Sequence, residues 1–243
     1  MKGTAPAGVA TEQEASRWVR SMFGRIAPRY DLANHVLSLN LDRRWRSYTV
    51  RRVRHVLGRP GACALDLCCG TGDLMLALDQ NSKYPVMGSD FCHPMLVAAG
   101  EKVSSKKRAC PLFEADALQL PLADGALDLI TMAFGFRNLV DYDAGLAEMH
   151  RVLKPSGVAA ILEFSQPGKT IFGSLYRFYS RHILPRIGGA LSGSRDAYAY
   201  LPESIGKFPT AENLAARMRD AGFRSVEFDR MTGGTVALHL GTK

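Results

Sequence analysis

The stretch Cys63-Ala-Leu-Asp-Leu-Cys-Cys-Gly-Thr-Gly-Asp-Leu74 constrains the fold more than any other part of the chain. Its apolar opening predicts a buried strand. Gly70 and Gly72 then allow positive φ and let backbone N–H groups close on a ligand, and Asp73-Leu-Met-Leu-Ala-Leu78 predicts the first turns of a helix. Strand, glycine turn and helix N-terminus together make the nucleotide-binding edge of a doubly wound parallel sheet.

A third glycine separates two ligand classes at such an edge. The dinucleotide fingerprint G-x-G-x-x-G needs a small residue where this chain has Met75. Asp66, at the predicted strand end, would repel a pyrophosphate and suits a ligand with a cationic amino group. S-adenosylmethionine is such a ligand. The plain alternative is a tight turn in an ordinary α/β protein.

The rest of the chain repeats the alternation. Strands are predicted at 63–67, 86–89, 112–114, 127–132 and 157–163, with helices at 73–80, from Pro94, and at 143–153. Helix 210–221 and strands 225–228 and 235–240 close the chain as an antiparallel hairpin at the sheet edge. The fold class is α/β: a doubly wound, Rossmann-like, seven-stranded sheet with a C-terminal hairpin. Ahead of it, Glu12–Phe23 and Trp45–Leu57 have helical periodicity. Residues 1–60 read as an N-terminal helical, basic segment facing substrate or membrane, and residues 61–243 as the cofactor-binding domain.

Residues 167–209 interrupt this pattern. Ile171, Phe172, Leu175, Tyr176, Phe178 and Tyr179 predict an apolar helix face broken at Pro185. The segment reads as a lid covering the substrate, with plain core packing as its rival.

Ligands of a doubly wound sheet lie at the carboxyl ends of its strands. Asp90 ends the second strand, where a carboxylate accepts hydrogen bonds from both ribose hydroxyls. Met95 follows, where a flat base would lie. Asp116 and Ala117 end the third strand, and a carboxylate beside a backbone amide matches the amino group and ring nitrogen of adenine.

The net charge of +8 is unevenly placed. Residues 1–60 hold 12 Lys/Arg against 4 Asp/Glu, whereas residues 61–243 hold 19 of each. Much of the excess sits in Arg43-Arg44-Trp-Arg46 and Arg51-Arg52-Val-Arg54. Water, anionic lipid and nucleic acid are its candidate partners. Trp45 and Tyr48, inside the patch, suit a membrane interface. Five cysteines, two of them adjacent, with no zinc-like spacing, predict reduced thiols and no metal. No run of 18 apolar residues is present. The expectation is a cytoplasmic protein, peripherally membrane-associated.

These motifs also carry a family resemblance. Asp66-Leu-Cys-Cys-Gly-Thr-Gly72, Asp90 and Asp116-Ala117 resemble the cofactor motifs of class I S-adenosylmethionine-dependent methyltransferases. The likeness narrows at Tyr30-Asp31-x-x-Asn34 with Asp42-Arg-Arg-Trp45, Phe134-Gly-Phe-Arg-Asn138, Arg151-Val-Leu-Lys-Pro155, Leu162-Glu-Phe-Ser165, Ile183-Leu-Pro-Arg-Ile-Gly188 and Tyr200-Leu-x-x-Ser-Ile205. Over about residues 20–240 these are similar to the quinone-pathway C-methyltransferases, which act on demethylmenaquinol and on the ubiquinol precursor. The resemblance implies a lipophilic quinol substrate, with a homodimer or quinone-pathway enzymes as further partners. It places cofactor contacts on Thr71, Asp90, Asp116 and Ala117. Cys68 stands where a small Gly or Ala is usual, and Ala133 where some members have a hydroxyl residue near the cofactor.

Methyl transfer from a sulfonium is an in-line displacement, so the protein mainly supplies alignment and desolvation. An amine acceptor would suggest an Asn/Asp-Pro-Pro-aromatic motif after the fourth strand. Cytosine C5 chemistry would want a Pro-Cys there. The chain has Ala133-Phe-Gly-Phe-Arg-Asn138 and no cysteine after Cys110, which disfavours a nucleic-acid substrate. A quinol becomes nucleophilic at ring carbon once a ring hydroxyl ionises, and a phenol titrates near about 10. Arg137 and Asn138 are expected to supply a cation and a hydrogen bond to that oxygen, with a structural ion pair as the rival role for Arg137. Water, His150 or Tyr200 is the expected proton acceptor.

Overall fold

The computed structural model describes residues 3, 4, 6, 8–168, 173, 179 and 195–243. Helices α1 (Glu12–Ile26), α2 (Tyr30–Leu37) and α3 (Leu41–Leu57) precede the sheet. Then follow β1 (Ala64–Leu67), α4 (Asp73–Asp79), β2 (Met87–Asp90), α5 (His93–Ser105), β3 (Leu112–Glu114) and β4 (Leu127–Ala133). The remainder is α6 (Tyr142–Val152), β5 (Leu153–Phe164), α7 (Arg195–Lys207), α8 (Ala211–Asp220), β6 (Ser225–Met231) and β7 (Val236–Thr242). The strands lie in the order β3-β2-β1-β4-β5-β7-β6, with β7 antiparallel to both neighbours. This is the seven-stranded plan expected from the sequence.

Because side chains alternate across a strand, the sheet feeds two cores. Leu129 and Ala160 join the core beneath α3 and α4, whereas Ile130 and Ile161 join the one beneath α6 and α8. A third apolar cluster unites α1, α2, the start of α5 and α7, through Val19, Met22, Ile26, Leu37, Met95 and Tyr200. It roofs the carboxyl ends of the parallel strands.

Two boundaries differ from expectation for local reasons. Strand β5 begins at Leu153 rather than Gly157, because Leu153 already pairs with Leu127; Ser156, at φ +63°, lies beside the register shift that follows. Helix α3 begins at Leu41, four residues early, with Asn40 capping it in the left-handed region. Its aromatic residues also depart from the interface expected of them. Trp45 is buried, donating from its indole N–H to Thr232 Oγ1 at 2.8 Å, and Tyr48 donates to Asp229 Oδ2 at 2.9 Å. Arg52 pairs with Glu227 and Asp229. This helix face therefore meets β6 and its turn. Most of the expected lid, including Pro185, lies outside the described residues.

Met75 takes the place of a third glycine without loss of helix–strand packing, since Gly88 on β2 opposes it. A Cβ at Gly88 would stand 2.5 Å from Met75 Sδ. Gly135 shows the same constraint beside the glycine turn, where an added Cβ would meet Cys68 Cβ at 2.5 Å. Gly135→Ala is expected to lower stability by about 1–3 kcal/mol in urea unfolding. Cys68→Gly in the same chain removes the opposing atom and should restore most of that loss, read as a double-mutant coupling.

Candidate active site

In the glycine turn, Gly70 and Gly72 both adopt positive φ, and Cys68 joins them at φ +53°. Asp90, at the end of β2, clamps the turn: its carboxylate accepts from Gly70 N–H and from Cys92 N–H, each at 2.9 Å. Burial pushes the Asp90 carboxyl up to about 6, against the pull of those backbone N–H groups.

One cavity opens over this turn. Gly70, Asp90, Met95, Asp116, Ala117, Ala133 and Asn138 line it, together with Cys68, Phe91 and Leu118. Asp116 uses one oxygen to accept from Leu118 N–H at 2.9 Å. Its walls combine the Asp90 carboxylate, apolar Met95 and Phe91, and Asp116 at the edge.

Three predicted residues stand elsewhere. Asp66 is buried beneath the turn, accepting from Thr131 Oγ1 at 2.6 Å, and burial raises its carboxyl to about 7. Gly72 caps α4 rather than lining the cavity. Thr71 turns its hydroxyl away, donating to Asp31 Oδ1 at 2.5 Å and accepting from Lys102 Nζ at 3.0 Å. Lys102 also pairs with Asp31 at 2.5 Å and Asp73 at 2.7 Å. Arg46 pairs with Asp42, whose carboxylate also takes His35 Nδ1 at 2.8 Å and the Ser38 hydroxyl at 2.6 Å. These charges tie α2, α3 and α5 to the N-terminus of α4.

A second cavity, of about 380 Å³, adjoins the first and shares Phe23, Tyr30 and Phe134 with it. Its walls are aromatic and aliphatic: Trp45, Phe164, Tyr200 and Leu37 among them. Phe134 packs on Phe164 with ring centroids 4.8 Å apart, and Trp18 covers Tyr200 at 5.2 Å. Few polar groups face in. Arg137, only 6% exposed, donates through Nη1 to Glu163 at 3.0 Å and to Phe134 O at 2.5 Å, and lies over the Phe164 ring. Among the described residues its Nε has no partner, and neither has the buried Tyr200 hydroxyl. Burial pushes that phenol up to about 12, so Tyr200 is a donor at neutral pH and a poor proton acceptor.

Two further expectations are corrected by position. Asn138 lines the first cavity and not the second; its amide nitrogen stands 3.4 Å from Phe134 O, leaving its buried Oδ1 unpartnered. His150 lines neither cavity. It sits at the end of α6, edge-on to Phe223 at 5.2 Å and against Gly222, which withdraws it as a proton acceptor. Conversely, Ser16 and Phe23 of α1 line the site although nothing in their local sequence marks them, and Leu201 of α7, within the Tyr200-Leu-x-x-Ser-Ile205 motif, lines the second cavity. Only the folding of these helices over the sheet edge brings them there.

Residues 9–243 match the model of the ubiE/COQ5 methyltransferase family. The chain belongs to that family. It is 47% identical to the demethylmenaquinone methyltransferase of Thermus thermophilus, across 91% of this chain and 100% of that one. It is 41% identical to the ubiquinone/menaquinone biosynthesis C-methyltransferase UbiE of Geotalea uraniireducens, across 95% and 98%. A solved SAM-dependent methyltransferase from Thermotoga maritima shares the fold, with a TM-score of 0.62 at 19% identity over 92% of this chain and 99% of that one. S-adenosylmethionine is thus the methyl donor of this ubiE/COQ5 methyltransferase. Its first cavity has the Asp90 carboxylate and Asn138 among its lining, and Asn138 Oδ1 has no partner among the described residues.

Asp90 makes cofactor binding depend on pH. Its folded value lies above the ordinary 3.8, so protonation stabilises the ligand-free fold; that contribution is present below pH about 4 and is lost as pH rises through about 6. Ribose hydroxyls favour the ionised carboxylate, so ligand and proton compete. The rise in melting temperature at saturating S-adenosylhomocysteine should grow from about pH 5 to about pH 8. Asp90→Asn should give a smaller and much flatter response.

Proposed function

We propose that this ubiE/COQ5 methyltransferase transfers a methyl group to a ring carbon of demethylmenaquinol, giving menaquinol. The observation that carries this reading is the pairing of the two cavities. One suits a nucleoside; the other is aromatic, apolar and sized for a fused ring with the start of a prenyl tail. The greater identity to the Thermus demethylmenaquinone methyltransferase favours the menaquinone precursor over the benzoquinol precursor of ubiquinone.

S-adenosylmethionine, when bound, supplies a methyl carbon already activated by its sulfonium. The chain's own task is to align the ring, exclude water and favour the ring-hydroxyl anion. Tyr30, Phe23 and Phe134, common to both cavities, are the residues between which the methyl passes. Arg137 supplies the cation: Glu163 and Phe134 hold its Nη1, leaving Nε for the substrate oxygen. Tyr200 donates a second hydrogen bond. The ring hydroxyl first gives its proton to water or to Asp42. The new C–C bond then forms as the bond from methyl carbon to sulfur breaks, the proton on the attacked carbon leaves by the same route, and one proton returns to the ring oxygen, so that menaquinol forms with one proton released net. Asp42 is the one carboxylate among the described residues of the second cavity. Burial pushes the Asp42 carboxyl up, but Ser38, Arg46 and His35 more than reverse this and keep it ionised. Asn138 is reassigned from the substrate oxygen to the amino group of the cofactor.

The ion-pair role of Arg137 is part of this arrangement rather than an alternative to it. Arg137→Ala strands Glu163, 1% exposed, and so confounds catalysis with folding. In Arg137→Gln with Glu163→Gln both charges go together. That pair of changes should keep S-adenosylhomocysteine affinity while turnover of demethylmenaquinol falls by about a hundredfold or more. Near-normal turnover would remove Arg137 from the chemistry. Side-by-side assay of demethylmenaquinol and the benzoquinol precursor with labelled cofactor tests the substrate.

A further inference from the structure

Five large hydrophobic side chains are exposed among the described residues, and three of them, Leu32, Val36 and Leu39, fall on α2 and the turn after it. Leu32 and Val36, at i and i+4, share one side of the helix, and Leu39 lies in the turn that follows it. Leu39 is 78% exposed, Leu32 58% and Val36 42%. Leu39 is also held at φ +52°, followed by Asn40 at φ +59°. A left-handed leucine carries a backbone cost of roughly 1–2 kcal/mol, and the 78% exposure of Leu39 leaves little packing among the described residues to offset it. Two unfavourable features at one residue mark a surface shaped for something outside the chain.

The position of this ridge says what that is. Leu37, Ser38, Leu39 and Leu41 line the second cavity, so the exposed turn is its rim. Arg29, just before α2, and Arg43 and Arg44, on the first turn of α3, are exposed and have no carboxylate partner among the described residues. The nearby acids are already engaged, Asp31 with Lys102 and Asp42 with Arg46 and His35. An apolar ridge bordered by free guanidinium groups matches the acyl–headgroup boundary of an anionic leaflet. A second copy of the chain fits less well, since a two-fold contact here would set these arginines against their own mates. No described helix is long and apolar enough to cross a membrane, so the contact is one of resting on the surface.

We propose that Leu32, Val36 and Leu39, flanked by Arg29, Arg43 and Arg44, seat the enzyme on an anionic lipid surface with the mouth of its aromatic cavity facing the bilayer. The prenyl tail then stays in lipid while the ring enters between Leu37, Leu39 and Leu41. The tail-delivery part rests on the quinol reading; the docking surface does not.

Sedimentation of the full chain with vesicles separates these statements. With phosphatidylglycerol-containing vesicles at about 0.1 M salt the protein should pellet; with pure phosphatidylcholine, or at about 1 M salt, it should largely stay in solution. Leu32→Asp with Val36→Asp, and separately Arg43→Glu with Arg44→Glu, should each weaken partitioning by about tenfold or more. Melting temperature and turnover of a short-tailed, water-soluble demethylmenaquinol should be unchanged by Leu32→Asp with Val36→Asp, while turnover of long-tailed quinol in vesicles falls. Equal pelleting of variant and wild type overturns the proposal, as does a wild-type dimer that Leu32→Asp with Val36→Asp converts to monomer. If no quinol is methylated in any form, the substrate reading fails and vesicle binding still decides the surface.

Discussion

The Asp90 carboxylate is the contact on which the rest of the site depends. It is almost fully buried at the end of β2, yet it bridges two chain segments by accepting Gly70 N–H from the glycine turn and Cys92 N–H ahead of α5. It adds a side-chain clamp to a turn with three positive-φ residues, Cys68, Gly70 and Gly72, whose backbone is otherwise tied to β2 by Cys69 N–H donating to Ser89 O at 2.9 Å. Burial opposes the charge, and backbone donors restore part of what water supplied. In the proposed reading the same oxygens accept the ribose hydroxyls, so one residue both shapes the turn and recognises the cofactor.

On the far side, the turn is steadied by charge. Asp31, Asp73 and Asp42 alternate with Lys102 and Arg46 across four helices, and Thr71 joins them through its hydroxyl. Exposed pairs contribute little, but half-buried pairs shared among several partners lose less to solvent and side-chain entropy. The network joins the N-terminal helices to the cofactor turn. It thereby makes the roof of the substrate cavity and the floor of the cofactor cavity parts of one assembly.

Arg137 works under a similar double use. Glu163 holds one edge of its guanidinium, Phe164 lies under the plane, and Nε is buried without a partner among the described residues. In the proposed reaction, a cation in such surroundings would act on an ionising hydroxyl more strongly than it would in water.

Much of this was legible before folding. The alternation of apolar runs with Gly-bearing turns determined the seven strands, and the acids Asp90 and Asp116 with Met95 were assignable to strand ends because a parallel sheet gathers its ligands there. Periodicity alone does not say which way a side chain turns once a helix crosses a sheet edge. Thr71 looked inward by motif and is drawn off by Asp31; Asn138 and Arg137 are neighbours in sequence, yet a 3-10 turn at Phe136–Asn138 sends them to different cavities. His150 resembled a base by type, but α6 delivers it to Phe223. Trp45 and Tyr48 suited an interface, whereas the hydrophobic ridge that reaches solvent is Leu32, Val36 and Leu39. Local chemistry therefore determined the sheet and its cofactor edge, which depend on nearby residues. The second cavity and its rim were decided by tertiary structure, because they are assembled from α1, α2, α3, α7, the turn after β4 and the end of β5, whose meeting depends on burial across the whole chain.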